Sequence, residues 1–436
     1  MEIFSSPENK NTFNDIVERI GTTDLTVYEQ LNASNDKEAK AEFLANPDLV
    51  HPRNEYGNLD IEKVLQNLDT LNGVSNELKQ SWLTDKEARL AEALADSSRK
   101  KNEFLLANFA YNNAETPEDK ASAAAEHKRT NEALYGTPDE STFYSILQEK
   151  ISKIMPKTPE EQARLDDLLS KIGTLPEVQV GRFKPKQETV ERFSELIRDF
   201  FGDFLKYLPE DKNSFTSEEM TSIVNSILEN EFDGNPGYKA VIDSEVSNAS
   251  ANHEQRIIKF PQDKEYSRDY AAALIVHELG SHVMRAIPYM EHGIPALSIG
   301  LPDNETFDEG VAKCVEQAIK GKYKDSGIDH YINIGLANFK GKNFREIYDI
   351  QMAIKELSGK KTGTVLNSVQ RCFRGTGELP NNKDLAYYNG AEQVWRYIEA
   401  HIDDPELMDH LFLSGKTVVT DKDQERVIYE TKVGGI

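Results

Sequence analysis

The sequence of 436 residues predicts an α+β protein that is mostly helical with a small mixed sheet, and three observations favour this class. Residues 1–175 show helical spacing of apolar residues between short polar turns. From Leu175-Pro176 onward, short β-prone runs alternate with amphipathic helices. A strongly apolar segment then predicts a buried helix over Ser267–Ile287. We therefore predict a helical N-terminal region, 1–175, packed as one unit with a second region, 176–436.

Apolar residues at helical spacing define the predicted N-terminal helices. Leu65, Leu68 and Leu71 recur every three residues, and Phe104 and Leu105 begin a second such pattern. Both patterns place apolar side chains on one face of a helix, so each helix can bury that face against a neighbour.

Short β-prone runs supply the predicted sheet. Val178 and Val180 alternate with polar residues. Tyr238–Ile242 and Arg256–Phe260 flank a polar, turn-rich stretch, so we expect them to pair as a hairpin. Two C-terminal runs predict a second small hairpin: Lys416–Val419 and Arg426–Lys432.

Two amphipathic helices are predicted between these strands, over Glu188–Tyr207 and Ser217–Phe232. Thr216 and Glu219 have the spacing of a capping box, which marks the start of the second helix. The apolar helix that follows the strands is expected to end before Pro288, because proline removes a backbone donor.

Composition excludes several classes of partner and structure. Asp and Glu outnumber Lys and Arg by 75 to 51, and the net charge of −24 repels nucleic acid and anionic membranes. Cys314 and Cys372 are too few for a disulfide framework. No run approaches the roughly 20 apolar residues of a membrane helix, and Met1–Ser5 shows no signal-peptide pattern. We expect a cytoplasmic protein.

The sequence His277-Glu278-Leu279-Gly280-Ser281-His282 lies inside the apolar helix. Two imidazoles and a carboxylate are the residues that a zinc hydrolase needs as ligands and as a base. Five steps along an α-helix leave two side chains about 140° apart, against about 40° for four steps. His277 and His282 can therefore reach one ion only if the helix carries a π-bulge, which we predict at Gly280-Ser281.

A core role for these residues is the alternative to a metal site. Burying two His and one Glu without partners costs on the order of 2–7 kcal/mol each, which disfavours that alternative. The other histidines lack the spacing of metal ligands, and we interpret them as surface or structural residues: His51, His127, His253, His292, His330, His401 and His410.

Glu309 is the candidate for a third metal ligand. It precedes Gly310 near the start of an amphipathic helix, for which Gly321 is a plausible end. The small Gly310 would leave room for the metal. Thr306 and Glu309 also have the spacing of a capping box, in which the carboxylate bonds only to backbone. The spacing alone leaves both interpretations open.

Segments spread over most of the chain resemble the motifs of a known family. These segments are Leu134 to Asp139, His277 to Arg285, Pro295 to Leu301, Glu309 to Ala312, Arg371 to Gly375 and Lys383 to Gly390. They resemble the microtubule-associated tyrosine carboxypeptidases and their prokaryotic relatives, which are zinc peptidases with a His-Glu-x-x-x-His helix. A sheet edge followed by the metal helix is also the zincin-like arrangement, in which an edge strand pairs with a peptide.

The resemblance implies a zincin-like catalytic domain and one Zn²⁺ ion on His277, His282 and Glu309. It implies a carboxypeptidase, in which Glu278 transfers a proton from the attacking water to the leaving amine. Tyr387 is then a candidate donor to the oxyanion, although a tyrosine of the core would give the same pattern.

A carboxypeptidase must also bind the terminal carboxylate of its substrate, for which arginine is well suited. The cations in or near the family-like segments are Arg371, Arg374, Lys383 and Arg285. Arg285 lies one turn after His282, where it suits a structural ion pair equally well. The expected substrate is the C-terminus of a peptide or protein, and the net charge of −24 makes the acidic tail of tubulin a doubtful one.

Two rival hypotheses remain open. A dipeptidyl peptidase III-like exopeptidase uses the same helix motif and a downstream Glu, but the Arg371 and Lys383 segments fit it less well. A zinc-stabilised, non-catalytic interaction module is the second rival. The intact Glu278 argues against it, because a structural site does not need this residue.

Overall fold

The computed structural model describes residues 7–56, 59–81, 83–176, 181–232, 237–244, 246, 248–252, 255–286, 300–421 and 424. The N-terminal region is helical, as predicted. Its helices span Pro7–Thr23, Val27–Gln30, Asp36–Ala45, Ile61–Leu78, Asp85–Asn112, Pro117–Tyr135, Glu140–Ser152 and Pro159–Ile172. The two predicted apolar patterns lie in the helices Ile61–Leu78 and Asp85–Asn112.

The second region is also dominated by helices. They span Gln187–Phe200, Gly202–Leu205, Ser217–Asn230, Arg268–Ile275, Asn304–Ile319, Ile328–Lys340, Phe344–Leu357, Val365–Cys372, Leu385–His401 and Leu407–Phe412, with a π-helix at Val276–Val283. We refer to Asn304–Ile319 as the Glu309 helix and to Leu385–His401 as the Tyr387 helix.

Two small sheets lie beside the helix that carries the His-Glu motif. Their strands are β1 (Ser214–Thr216), β2 (Lys239–Asp243), β3 (Ser250–Asn252), β4 (Ile257–Pro261) and β5 (Glu265–Ser267). β1 and β5 pair antiparallel. In the second sheet β4 lies at the centre, between β2 and β3.

The predicted hairpin between Tyr238–Ile242 and Arg256–Phe260 is wrong in direction, because β2 and β4 run parallel. The stretch between them contains β3, which pairs antiparallel with β4. The chain therefore reverses twice, and β4 regains the direction of β2.

Other sequence predictions near the strands have mixed outcomes. Val178, Val180 and Arg426–Lys432 lie outside the described residues. Lys416–Val419 contains no strand, so the C-terminal hairpin is not confirmed.

The predicted helix Glu188–Tyr207 is broken after Phe200. Phe201 turns into the core, where its ring centroid lies 4.9 Å from that of Phe412. The chain then resumes as the short helix Gly202–Leu205. The capping box of Thr216 and Glu219 is confirmed at the start of Ser217–Asn230.

The core beneath the site joins helices from several parts of the second region. Buried apolar residues from Gln187–Phe200, Ser217–Asn230, the motif helix, the Glu309 helix and the Tyr387 helix form one cluster. The motif helix is therefore packed against apolar residues of these helices, which restricts the directions open to its polar side chains.

A second core crosses the boundary that the sequence predicted at residue 176. Phe43 and Phe143 pack in the same cluster as Phe344 and Tyr388. Arg345 donates hydrogen bonds to the carbonyls of Phe43, Asn46 and Leu49 at 2.8–2.9 Å. The boundary itself stays a prediction, and this shared core supports the packing of both regions as one unit. Within the described residues, no helix is both long and apolar enough to cross a membrane.

Candidate metal centre and active site

The helix that carries the motif changes its winding where the sequence predicts. Arg268–Ile275 is α-helical and follows Ser267, and Val276–Val283 continues it as a π-helix. The amide of Met284 donates to the carbonyl of Leu279 at 2.7 Å, which is the i→i−5 bond of a π-helix. The predicted bulge at Gly280-Ser281 is confirmed and lies within a π segment of eight residues.

The π-helix brings the two histidines to the same side. Their ring centroids are 5.1 Å apart. One ligand atom from each of His277, Glu278 and His282 lies within 4.8 Å of the others. The side chain of Glu278 is buried, and Oε1 lies 3.9 Å from Nε2 of His277. The five-step spacing thus produces a compact group of two imidazoles and a carboxylate.

Gly280 is required by packing as well as by helix winding. A Cβ at this position would lie 2.7 Å from the ring of Phe201. The ring is fully buried and cannot move away easily. The absence of a side chain at Gly280 therefore lets the ring of Phe201 pack directly against the π-helix.

The chemistry of this group fits a divalent metal ion. Oε2 of Glu278 is buried and has no hydrogen-bond partner among the described residues. Burial raises the pKa of Glu278, outweighing the opposing charge of His277, and the nearby Glu309 carboxylate adds to the increase. An unpaired buried carboxylate beside two imidazoles is costly without a ligand, and a metal ion with a water would satisfy all three groups.

Glu309 lies beside this group on a helix that starts earlier than predicted. The Glu309 helix begins at Asn304 after the cap residue Asp303, so Thr306 is already helical. The capping-box alternative for Glu309 is therefore wrong. Burial raises the pKa of Glu309, against the opposing charges of His277 and Lys313. The ligand atoms that lie within 4.8 Å of one another belong to His277, Glu278 and His282, and Glu309 lies outside that group. Its role as third ligand stays a prediction.

Gly310 is small for a different reason from the one that the sequence suggested. A Cβ on Gly310 would overlap the backbone of Gly390, lying 2.9 Å from its Cα and closer to its carbonyl. A Cβ on Gly390 would in turn overlap the carbonyl of Thr306. The two glycines thus let the Glu309 and Tyr387 helices cross in backbone contact, which brings Tyr387 to the site.

Sequence reasoning missed Glu316 and Lys313, which lie on the same face of the Glu309 helix. Oε1 of Glu316 lies 2.7 Å from Nδ1 of His277 and 2.8 Å from Nζ of Lys313. Nζ of Lys313 is also 5.7 Å from the ring centroid of Tyr387. The available signal was the seven-residue interval between Glu309 and Glu316, which is two helical turns.

Tyr387 belongs to a hydrogen-bonded network at the edge of the site. Arg371 donates to its hydroxyl oxygen at 3.0 Å and to both oxygens of Asp384 at 2.6 and 2.7 Å. Nδ1 of His330 lies 3.0 Å from the same Asp384. Burial raises the pKa of Tyr387, and the neighbouring Glu309 raises it further, so the phenol stays protonated.

The other predicted substrate-binding cations lie in different surroundings. Arg285 is fully buried and donates to Asp308 at 2.7 Å, to the carbonyl of Thr417 at 2.7 Å and to that of Leu411. This is the structural ion pair that its position allowed, so we do not retain it as a substrate contact. Lys383 pairs with Glu305.

Arg374 faces the N-terminal region. Its charge favours ionisation of Tyr135, although burial keeps the pKa of that phenol well above its usual value. The next residue, Gly375, accepts a hydrogen bond from Asn112 at 2.7 Å, so the backbone beside Arg374 contacts the N-terminal region.

His253 and His292 lie outside the described residues. Two of the other histidines have clearly different surroundings. His127 is buried against the ring of Phe104, with centroids 5.2 Å apart, which fits the predicted structural role. His330 is close to the candidate site through Asp384 and has a ring centroid 5.9 Å from that of Tyr387. Spacing along the sequence gave no indication of this contact.

Comparison with known proteins agrees with the geometry. A search of curated proteins and a search of solved structures find no match. The sequence model of one family, described as microtubule-associated tyrosine carboxypeptidase, matches residues 107–433. This range is most of the chain and includes the His-Glu-His group, the Glu309 helix and the Tyr387 helix. The chain belongs to the microtubule-associated tyrosine carboxypeptidase family and is a carboxypeptidase of the metallopeptidase class.

Proposed function

We propose that the chain removes the last residue of a peptide or protein with one Zn²⁺ ion held by His277, His282 and Glu309. The observation that carries this proposal is the buried His277/Glu278/His282 group, aligned by the π-helix. When bound there, zinc polarises the scissile carbonyl and lowers the pKa of the attacking water. Glu309 is a buried carboxylate on which the charge of His277 acts, and this supports its assignment as the third ligand.

Glu278 acts as the general base in this proposal. Its Oε2 is buried and has no partner among the described residues, so it can accept a proton from the attacking water. The same carboxyl then delivers the proton to the leaving amine. No other carboxylate is needed for this transfer.

Tyr387 supplies a hydrogen bond to the oxyanion. Arg371 donates to the phenolic oxygen, which leaves the phenolic hydrogen available for a further acceptor. Asp384 holds the guanidinium of Arg371 by two hydrogen bonds, so the orientation of Tyr387 is fixed before the substrate arrives.

We assign the terminal carboxylate of the substrate to Arg371 and Lys313, since both cations lie against Tyr387. Lys313 lies between Glu316 and the ring of Tyr387. Arg374 and Lys383 are retained as contacts further along the substrate, on the side where the two regions meet.

The charge of the site supports a neutral or basic substrate tail. Lys383 pairs with Glu305, and Arg371 pairs with Asp384. Together with the net charge of −24, this pairing of cations with carboxylates disfavours an acidic tail such as that of tubulin.

The family name points to a C-terminal tyrosine as the residue removed. Cys314 and Cys372 are free and buried, which supports a cytoplasmic location.

The test is product analysis with a peptide library. The protein is stripped of metal, reloaded with zinc and incubated with peptides, and the products are identified by mass spectrometry. We expect loss of single C-terminal residues, and none from the stripped protein. Dipeptides released from the N-terminus would instead support the dipeptidyl peptidase alternative. Zinc binding without products would support the non-catalytic module.

The charge of the preferred tail is tested with two peptides that end in tyrosine and differ only in their upstream residues. We expect a higher kcat/KM for the neutral peptide than for the acidic one. Added salt should reduce the difference, because screening weakens repulsion between exposed charges. A preference for the acidic peptide would contradict the proposed substrate but would leave the chemistry in place.

Tyr387→Phe tests the oxyanion donor. We expect kcat to fall by about 10²–10³-fold with little change in KM, because a donor to the developing charge is lost. Tyr388→Phe is the matched control, since this neighbouring hydroxyl interacts with Arg182 instead. Steady-state kinetics on both variants decide the assignment. Equal activity of Tyr387→Phe and the wild type would assign Tyr387 to the core.

A further inference from the structure

Glu316 lies behind His277, on the side away from Glu278. Its Oε1 is 2.7 Å from Nδ1 of His277, and both side chains are mostly buried. The other ring nitrogen, Nε2, points towards Glu278 and is 3.9 Å from its Oε1. The two nitrogens of His277 therefore face different groups. Nδ1 lies within 2.7 Å of a carboxylate oxygen, although the N–H is not aligned with that oxygen as a hydrogen bond requires. Nε2 faces Glu278.

This arrangement selects one tautomer of His277. A carboxylate can only accept, so the short contact favours the tautomer with the hydrogen on Nδ1 when the ring is neutral. Nε2 is then left with its lone pair directed at the group formed with Glu278 and His282. A neutral imidazole in this tautomer is the form that binds a metal ion.

Lys313 holds Glu316 in place from the opposite side. Its Nζ lies 2.8 Å from the same Oε1 that faces His277. Nζ of Lys320 lies 3.9 Å from Oε2. Both lysines share the helix with Glu316, at i−3 and i+4. The carboxylate is therefore fixed by contacts to both of its oxygens.

We propose that Glu316 is a positioning residue of the metal centre, which fixes the tautomer and the ring orientation of His277. Carboxylates that accept from a ligating histidine raise the affinity for the metal by orienting the ring and raising its basicity. This proposal rests on the proposed metal site. The rival explanation is that Glu316 serves only as the counter-ion of Lys313 and Lys320.

The test measures zinc affinity by competition with a chromophoric chelator, which requires no activity. We expect Glu316→Gln to bind zinc about 10–100-fold more weakly than the wild type. The melting temperature of the metal-free protein should change little. Lys313→Met is the comparison variant and should weaken binding much less than Glu316→Gln, because it loosens Glu316 but leaves the carboxylate facing His277 and removes a cation near the metal.

A double variant separates the two explanations. If Glu316 acts through His277, Glu316→Gln should weaken zinc binding by a similar factor in the Lys313→Met background. If Glu316 only neutralises Lys313, the double variant should regain wild-type affinity, and the proposal is overturned. If Glu316→Gln alone does not fold, the double variant can be compared with Lys313→Met instead. It is easier to fold, because only Lys320 is then left without the carboxylate of Glu316.

The zinc-binding measurements distinguish an error about Glu316 from an error about the proposed metal site. A wild-type protein that binds no zinc would contradict the metal site itself, before any variant is compared. A wild-type protein that binds zinc, with Glu316→Gln binding equally well, would overturn only the role of Glu316.

Discussion

Glu278→Gln is expected to lower kcat by about 10²–10⁴-fold, the usual contribution of a general base. The amide has nearly the same size as the carboxyl but cannot accept the proton of the attacking water. Glu278 is buried within the metal group, so no solvent base can take its place easily. Zinc content should stay near one equivalent, because the proposed ligands are His277, His282 and Glu309. Steady-state kinetics and elemental analysis of the purified variant measure both quantities.

Glu188→Gln is the matched control, since it makes the same chemical change at an exposed position. It should leave kcat and zinc content unchanged. A Glu278→Gln protein with wild-type kcat would exclude Glu278 as the base. A variant that has lost its zinc would instead place Glu278 among the ligands.

The π-bulge, though not the full π-helix of eight residues, could be predicted from the sequence because the spacing of the two histidines conflicts with a regular α-helix. Two histidines five residues apart cannot meet on an α-helix, and the apolar residues around them require a continuous helix. Gly280 supplied a second local signal, although its packing against Phe201 was not visible in the sequence. Local spacing therefore identified the motif helix, its bulge and the core of the site.

The direction of strand pairing could not be predicted in the same way. β3 has three residues, too few for an alternating pattern, so the sequence before β4 indicates a turn and gives no sign of a strand. The missing strand reverses the chain once more, and this changes the pairing of β2 and β4 from antiparallel to parallel. The error came from a long-range contact that no local pattern encodes.

The outer parts of the site were missed for a related reason. Glu316 and Lys313 follow Glu309 on one helix face, but a run of charges on a helix is usually solvated. Asp384 and His330 are separated by more than fifty positions in the sequence and meet only through tertiary packing. The residues of the His277/Glu278/His282 group could be predicted because they form a motif in the sequence. The residues around that group are brought to it by the fold, so the sequence alone did not indicate them.

Gly310→Ala is expected to destabilise the protein by at least about 3 kcal/mol, at the upper end of the usual cost of overpacking. Its new methyl group would overlap the carbonyl of Gly390, and backbone atoms cannot rotate away as a side chain can. Moving the Tyr387 helix outward would relieve the overlap, but it would also separate Tyr387 from Glu309. We therefore expect loss of both stability and activity, measured by urea denaturation and by kcat/KM.

Gly73→Ala provides the matched control for the same substitution in a helix. Gly73 is exposed within Ile61–Leu78, and a Cβ there would meet nothing within 4 Å. Alanine should stabilise this helix by about 1 kcal/mol, because it has a higher helix propensity than glycine.

Gly390→Ala should reproduce the effect of Gly310→Ala, since its Cβ would overlap the carbonyl of Thr306 where the same two helices cross. If Gly310→Ala were as stable and active as the wild type, the two helices would not need backbone contact. The role of this crossing in bringing Tyr387 to the metal group would then have to be abandoned.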